Sequence, residues 1–222
     1  MRSYVEAAAR HDNVTRTVRL LERIVPEPRL HARFVNTLAR MEYVGVRKML
    51  KSRRAERLDL DGIQHILDEA VHTMRLKKAA IALDRSGTGE VRTFATADTL
   101  AGDAGENYLQ ALDHRAEEML AEHPADLRSE ANYLLTSAAV EVRAQVFYPI
   151  YDRLLKEHQA GFSVAAITKD EDRHLEEMAA GLEAVLPNWK PRLEPLLAAE
   201  EALFARFLAA IEQAVAATAG HG

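Results

Sequence analysis

The chain predicts an all-α fold: a bundle of four core helices, with further helices before, between and after them. Three observations carry this. Glycine (10) and proline (7) are sparse among 222 residues, while the strong helix formers alanine, leucine, glutamate and arginine are plentiful. Apolar residues recur at three- and four-residue spacing over long stretches. These stretches form two hairpins with short turns, separated by about forty residues, enough to carry the chain back along the bundle as a long crossover. A hydrophobic content of 48% suits a single domain over residues 1–222, with the bundle core at about 28–185.

Taken in order, the first 25 residues read as one short amphipathic helix, interrupted by Pro26-Glu27-Pro28. The first core helix covers 28–52, with Phe34, Val35, Leu38, Met41, Val46 and Met49 at helical spacing. The polar stretch 51–60 makes a turn, and its run Lys51, Arg53, Arg54 reads as a solvated loop. Asp61 is placed to cap the second core helix, which continues to Leu83. Residues 84–103 carry Gly87, Gly89 and Gly102 among Ser, Thr and Asp, and read as loop. A helix over 104–122 ends before Pro124. The third core helix covers 127–158, with Pro149 inside to kink or locally disrupt it. Gly161 marks the turn to the fourth, 163–185. The break at Asn188-Trp189-Lys190-Pro191, with Trp189 as anchor, leads to a last helix over 195–217, and the tail from Ala219 frays.

A net charge of −5 and a pI near 6.0 give no electrostatic footprint for nucleic acid. With no cysteine, disulfides, thiolate zinc sites and cysteine-ligated iron–sulfur clusters are excluded. The N-terminus is broken by charges, unlike a signal peptide, and no apolar run approaches the roughly 18 residues of a membrane span. The expectation is a soluble cytoplasmic protein with neither membrane nor nucleic acid as partner. Phosphate-loop and serine-nucleophile motifs are lacking.

Two segments carry chemistry. Asp68-Glu69-Ala70-Val71-His72 and Asp170-Glu171-Asp172-Arg173-His174 both read Asp-Glu-x-x-His. Residues i and i+3 of a helix share a face, so Glu69 with His72, and Glu171 with His174, can each grip one ion. Glu42 precedes Glu69 by 27 residues and Glu141 precedes Glu171 by 30, each across a turn, which sets the glutamates at similar heights on facing helices. Asp152 is the alternative to Glu141. Glu42 lies on an apolar stripe of Val35, Leu38, Val46 and Met49, and Glu141 among Leu134, Ala138, Ala144 and Tyr148. Carboxylates so placed need compensation. Metal ions would supply it; the alternative is buried salt bridges to Arg40, Arg75, Arg143 or Arg173. Mixed carboxylate and imidazole donors suit two ions of iron or manganese, with zinc also admitted.

On these residues the chain resembles the ferritin-like di-iron carboxylate proteins, whose bundle takes one Glu from each of two helices and Glu-x-x-His from each of the other two. Glu42 and Glu141 match the lone glutamates, and Glu69/His72 and Glu171/His174 the paired motifs. Asp170–His174 is similar to the Asp-Glu-x-Arg-His signature of bacterial di-iron hydroxylases, while Val71 stands where the first copy would carry Arg. Tyr148 and Tyr151 follow Glu141 much as in aldehyde-deformylating oxygenases. The resemblance spans about residues 28–185. It implies that Asp68 serves His174 and Asp170 serves His72, with Arg173 steadying one aspartate; otherwise both are solvated surface acids.

The expected function is O₂ activation at a di-iron centre to oxidise or oxygenate a small molecule. An external electron donor, or a co-substrate that brings electrons, takes the place of a cysteine-bound relay. Ferroxidase or peroxide-detoxifying activity, or metal binding without turnover, are the alternatives, and a homodimer is one option for assembly. Tyr148 is the candidate catalytic tyrosine. Tyr43, Tyr148 and Tyr151 are either relays near the centre or packing residues with satisfied hydroxyls. His65, seven residues before His72, reads as a hydrogen-bonded core neighbour of the centre or as a ligand. His11, His31, His114, His123, His158 and His221 show no ligand spacing and read as exposed. Ser137, Ala138 and Ala144 are small enough to leave room for a substrate beside Glu141.

Overall fold

The computed structural model describes residues 1–52, 56, 58–84 and 91–219, so Arg53, Arg54, Gly87, Gly89 and His221 lie outside the described residues. Among the described residues the chain forms eight α-helices, one 3₁₀ turn at Thr96–Asp98 and no strand.

The N-terminal stretch is two helices rather than the one expected: α1 (Arg2–Ala8) and α2 (Asp12–Ile24). The backbone turns at residues 9–11, and His11 Nδ1 accepts the Asn13 N–H at 3.2 Å, giving α2 a cap of its own. α3 (Pro28–Ser52) starts on Pro28, where a missing N–H costs no helical bond. Lys51 belongs to its last turn, not to a loop. α4 (Leu60–Leu83) is capped by Asp59 instead of Asp61: Asp59 Oδ1 accepts the Gly62 N–H at 2.9 Å, and Asp61 sits in the first turn.

α5 (Ala104–Met119) ends three residues short of the expected boundary, at a turn closed by Leu120 and Ala121 N–H bonds to the carbonyls of Glu117 and Glu118. α6 (Ala125–Glu157) runs through Pro149 without ending; one intrahelical N–H is lost there, and packing on both sides holds the helix together. α7 (Ala165–Val185) follows a turn in which Gln159 (φ 52°) and Gly161 (φ 81°) adopt left-handed conformations. α8 (Lys190–Ala219) begins five residues before the expected Pro195. Trp189 is buried, and its carbonyl accepts the N–H groups of Arg192 and Leu193, so the helix starts on this anchor and contains Pro195.

α3 and α4 form an antiparallel hairpin: Lys77 donates to Asn36 at 2.6 Å, and Gly45 faces Glu69. α6 and α7 form a second: Gln145 reaches the Thr168 carbonyl at 3.0 Å, and Gly181 lets Leu134 come close. The hairpins meet α3 against α6 and α4 against α7. α5, within the long connection, packs chiefly on α8 and also touches α6 and α3. The connection lies tightly on α3, through Asn36 to the Thr93 and Asp98 carbonyls and Thr37 to Leu100. Two apolar clusters fill the interior, one joining α2, α3, α6 and α8, the other α5, α6, α7 and α8. No helix among the described residues is long and apolar enough to cross a membrane.

Candidate metal centre

Helical spacing places Glu69 and His72 on the inward face of α4, and Glu171 and His174 on the inward face of α7. Three of these four are almost wholly buried and Glu69 nearly so. Glu42 arrives from α3 and Glu141 from α6. All six predicted side chains converge in one place. Their donor atoms fall into two overlapping groups that share Glu69: Glu42, Glu69, His72 and Glu171, and His65, Glu69, Glu141 and His174. Within each group the donor atoms lie within 4.8 Å of one another, a spacing that could hold a metal ion.

The imidazoles are arranged alike. His72 turns Nδ1 towards Glu171 (3.3 Å) and Glu69 (3.7 Å) and its Nε2 outward to Asp170 (3.1 Å). His174 turns Nδ1 towards Glu171 (2.9 Å) and Glu69 (3.3 Å) and its Nε2 outward to Asp68 (3.5 Å). Each aspartate thus meets the histidine of the other motif. Arg173 holds Asp68 and, at 2.6 Å, Glu177; Arg75 stands 4.0 Å from Asp170.

None of the arginines considered from sequence neutralises the glutamates. Arg40 pairs with Asp103 and Glu106. Arg143 is buried against Glu200 (2.9 and 2.7 Å) and Glu201, joining α6 to α8. Among the described residues, no Lys or Arg lies within 4 Å of Glu42, Glu69, Glu141 or Glu171. The carboxylates compensate by sharing protons. Burial, with the charges of Glu69 and Glu171, holds Glu42 well above the carboxylate range. Burial and Glu171 do the same to Glu141. Burial would also raise Glu69 and Glu171, but hydrogen bonds from the histidines outweigh it and both stay low. Burial works against a charged His174, yet Glu171 and Glu69 push it up to about 10. His72 Nδ1, buried and facing two carboxylates, makes no hydrogen bond. The donor set fits metal ions: oxygen and imidazole nitrogen converge, and each imidazole is oriented from behind by a carboxylate.

Other candidates fall into place around it. His65 stacks on His174 (3.8 Å between centroids, 15° between planes) with Nε2 3.7 Å from Glu69 and 3.9 Å from Glu141, so it belongs to the cluster itself. The signal was in the sequence, in its spacing of four from Glu69. Tyr148 donates its hydroxyl to Glu42; burial and that carboxylate keep the phenol protonated. Tyr151 is elsewhere, packed on Phe34 and Phe147 and bonded to His31 at 2.7 Å. Tyr43 is 42% exposed and stacks on Phe94. Asp152 is no alternative ligand: it accepts from Ser163 (2.5 Å) and the Val164 N–H (2.9 Å) and fastens the α6–α7 turn. Two histidines expected at the surface are not there. His31 is buried, and His123 is half-buried with an unpartnered Nδ1.

A cavity of about 190 Å³ borders the cluster, and all four glutamates reach its wall, which explains why Glu42 is only half-buried. The rest is mainly apolar, with Leu38, Met41, Val140, Phe147, Phe204 and Phe207 prominent. Ser137 and Ala144 line it as expected, whereas Ala138 packs into the core instead. The wall from α5 and α8 had no signal in sequence, because it depends on where the connection and the last helix dock. Comparison with protein-family models, with curated proteins and with solved structures finds no match to this chain.

Proposed function

We propose that this chain is a ferritin-like di-iron protein that uses O₂ to oxidise or oxygenate a small apolar molecule. One observation carries the reading: four carboxylates that no Lys or Arg pairs among the described residues cluster with inward-facing imidazole nitrogens and border an apolar cavity. A site meant only to store charge has no need of an apolar chamber; a site that acts on an organic molecule does. Glu42, Glu69, His72 and Glu171 would hold one ion, and Glu69, Glu141 and His174, with His65 beside them, the other. Iron suits the donors, and manganese and zinc are admitted by the same set. When bound, a reduced iron pair supplies the activation of O₂, with electrons from an external donor. The chain's own residues do the rest. Asp68 and Asp170 orient the histidines, Tyr148 keeps a proton on the bond to Glu42, and the aromatic wall excludes water from the substrate.

The test is anaerobic iron titration followed by stopped-flow absorption on mixing with O₂, with and without short linear hydrocarbons and aldehydes. Two irons per chain are expected, then O₂ consumption faster than by free Fe²⁺ and accelerated by a molecule that fits the cavity. Glu69→Ala should lose both metal and activity, while Tyr148→Phe should keep the metal and alter the rate. Tight binding with O₂ consumed no faster than by free iron leaves a non-catalytic metal protein. Rapid oxidation with growth of a mineral core makes it a ferroxidase.

A further inference from the structure

The inner face of α4 carries Glu69 and His72, and its outer face is unexpectedly apolar. Leu60 is 77% exposed, Ile63 50%, Leu67 54%, Met74 46% and Ile81 52%. These are not scattered. Positions 60, 67, 74 and 81 recur every seven residues, and Ile63 and the exposed Ala70 fill the intervening positions, the pattern of a helix–helix seam. The α3–α4 register, in which Asn36 meets Lys77 and Gly45 faces Glu69, sets the 64%-exposed Leu50 level with Ile63 and widens the patch. Isolated exposed apolar residues need no explanation, but a stripe that runs the length of a helix, interrupted only at Lys77 where the side chain turns to Asn36 and Thr93, marks a contact surface.

Charge identifies the occupant. Along the outer side of α4 the first half exposes Asp61 and the second half exposes Arg75 and Lys78, while Asp68 is turned to Arg173 and His174. A second α4 laid antiparallel on the first sets the Asp61 half against the Arg75 and Lys78 half. It also sets Leu60 opposite Ile81 and Leu67 opposite Met74, in both directions at once. A parallel copy would place like charges together. The stripe is therefore complementary to itself under a two-fold axis beside Ala70 and Val71, as an isologous interface requires. Two packed helices about 36 Å long and about 20 Å across offer roughly 700 Å² per chain, close to the ~800 Å² per partner of a standard stable interface.

We propose that the protein is a two-fold dimer in which α4 packs antiparallel on α4 of a second copy. The contact lies directly behind Glu69 and His72 and braces the helix that presents them. It does not depend on which metal the centre holds or on turnover.

The full chain, run on size-exclusion chromatography with light scattering, should have twice the 24.8 kDa chain mass. Leu67→Glu with Met74→Glu places four charges in the seam of a dimer and should raise Kd roughly a hundredfold or more, with helical circular dichroism unchanged. The chain has no cysteine, so single thiols report without background. Ala70→Cys, beside the axis, should oxidise to a disulfide-linked dimer far faster than Gln213→Cys on the exposed side of α8. A chain that is monomeric at micromolar concentration overturns the proposal. So does a dimer that survives the double substitution, or cross-linking no faster at 70 than at 213. If the double variant fails to fold, the two cysteine variants, which keep the stripe intact, still decide.

Discussion

Asp68 and Asp170 stand behind the histidines of the candidate metal centre without entering it. Each accepts from the outward Nε2 of a histidine whose Nδ1 points at the glutamates, at 3.5 Å for His174 and 3.1 Å for His72. That fixes the ring orientation and leaves Nδ1 as the inward donor. The prediction belongs to single residues: Asp68→Ala or Asp170→Ala should weaken Fe²⁺ binding by roughly 10–100-fold, with little change in the fold. Isothermal titration under anaerobic conditions measures it, and unchanged affinity in both variants reduces them to structural acids. At this scale the sequence was most informative. The six converging side chains were legible because i, i+3 spacing is rigid within a helix and the two motifs repeat. His65 was undervalued because a lone histidine carries no repeat. His31 looked exposed because nothing local shows that Tyr151, 120 residues on, comes to meet it.

At the scale of elements, the helices themselves followed from periodicity, and α3 begins and ends where its apolar stripe does. The ends that went astray were decided by single contacts. Asp59 outcompeted Asp61 for the cap, Trp189 anchored α8 ahead of Pro195, and Pro149 was carried through by packing that is invisible one residue at a time. Packing of α3 on α6 also has a chemical weak point. The Tyr151 hydroxyl and His31 Nε2 share a buried hydrogen bond at 2.7 Å, and burial, helped by His158, lowers His31 from 6.5 to about 4. The folded state therefore binds this proton more weakly than the unfolded chain. Stability on this account is intact above about pH 6.5, falls as the pH drops, and is fully lost near pH 4. The gap corresponds to roughly 3 kcal/mol. Denaturant melts across that window should show His31→Gln losing less stability on acidification than the wild type by about that amount. Parallel acid profiles would mean that His31 does not govern the contact.

Across the whole molecule, the centre sits where both hairpins, the connection and α8 meet, so its cost is borne by the entire fold. Four clustered carboxylates with no Lys or Arg partner among the described residues oppose folding, and the neighbouring histidines offset only part of this. Glu42→Gln with Glu141→Gln should leave the protein without added metal as stable as the wild type or more so, since burial and the neighbouring carboxylates disfavour the charged form of both groups in the folded state. Metal binding at this cluster would reverse the balance. At a thousandfold excess over Kd, a bound ion adds about 4 kcal/mol, worth roughly 8–16 °C of Tm for a chain of this length. Adding Fe²⁺ anaerobically should raise the wild-type Tm by that order and leave the double Gln variant nearly unmoved, and a chelator should reverse the rise. Equal shifts in both proteins would place the bound metal somewhere other than among these glutamates, because the two substitutions remove one carboxylate from each half of the cluster while leaving its shape intact.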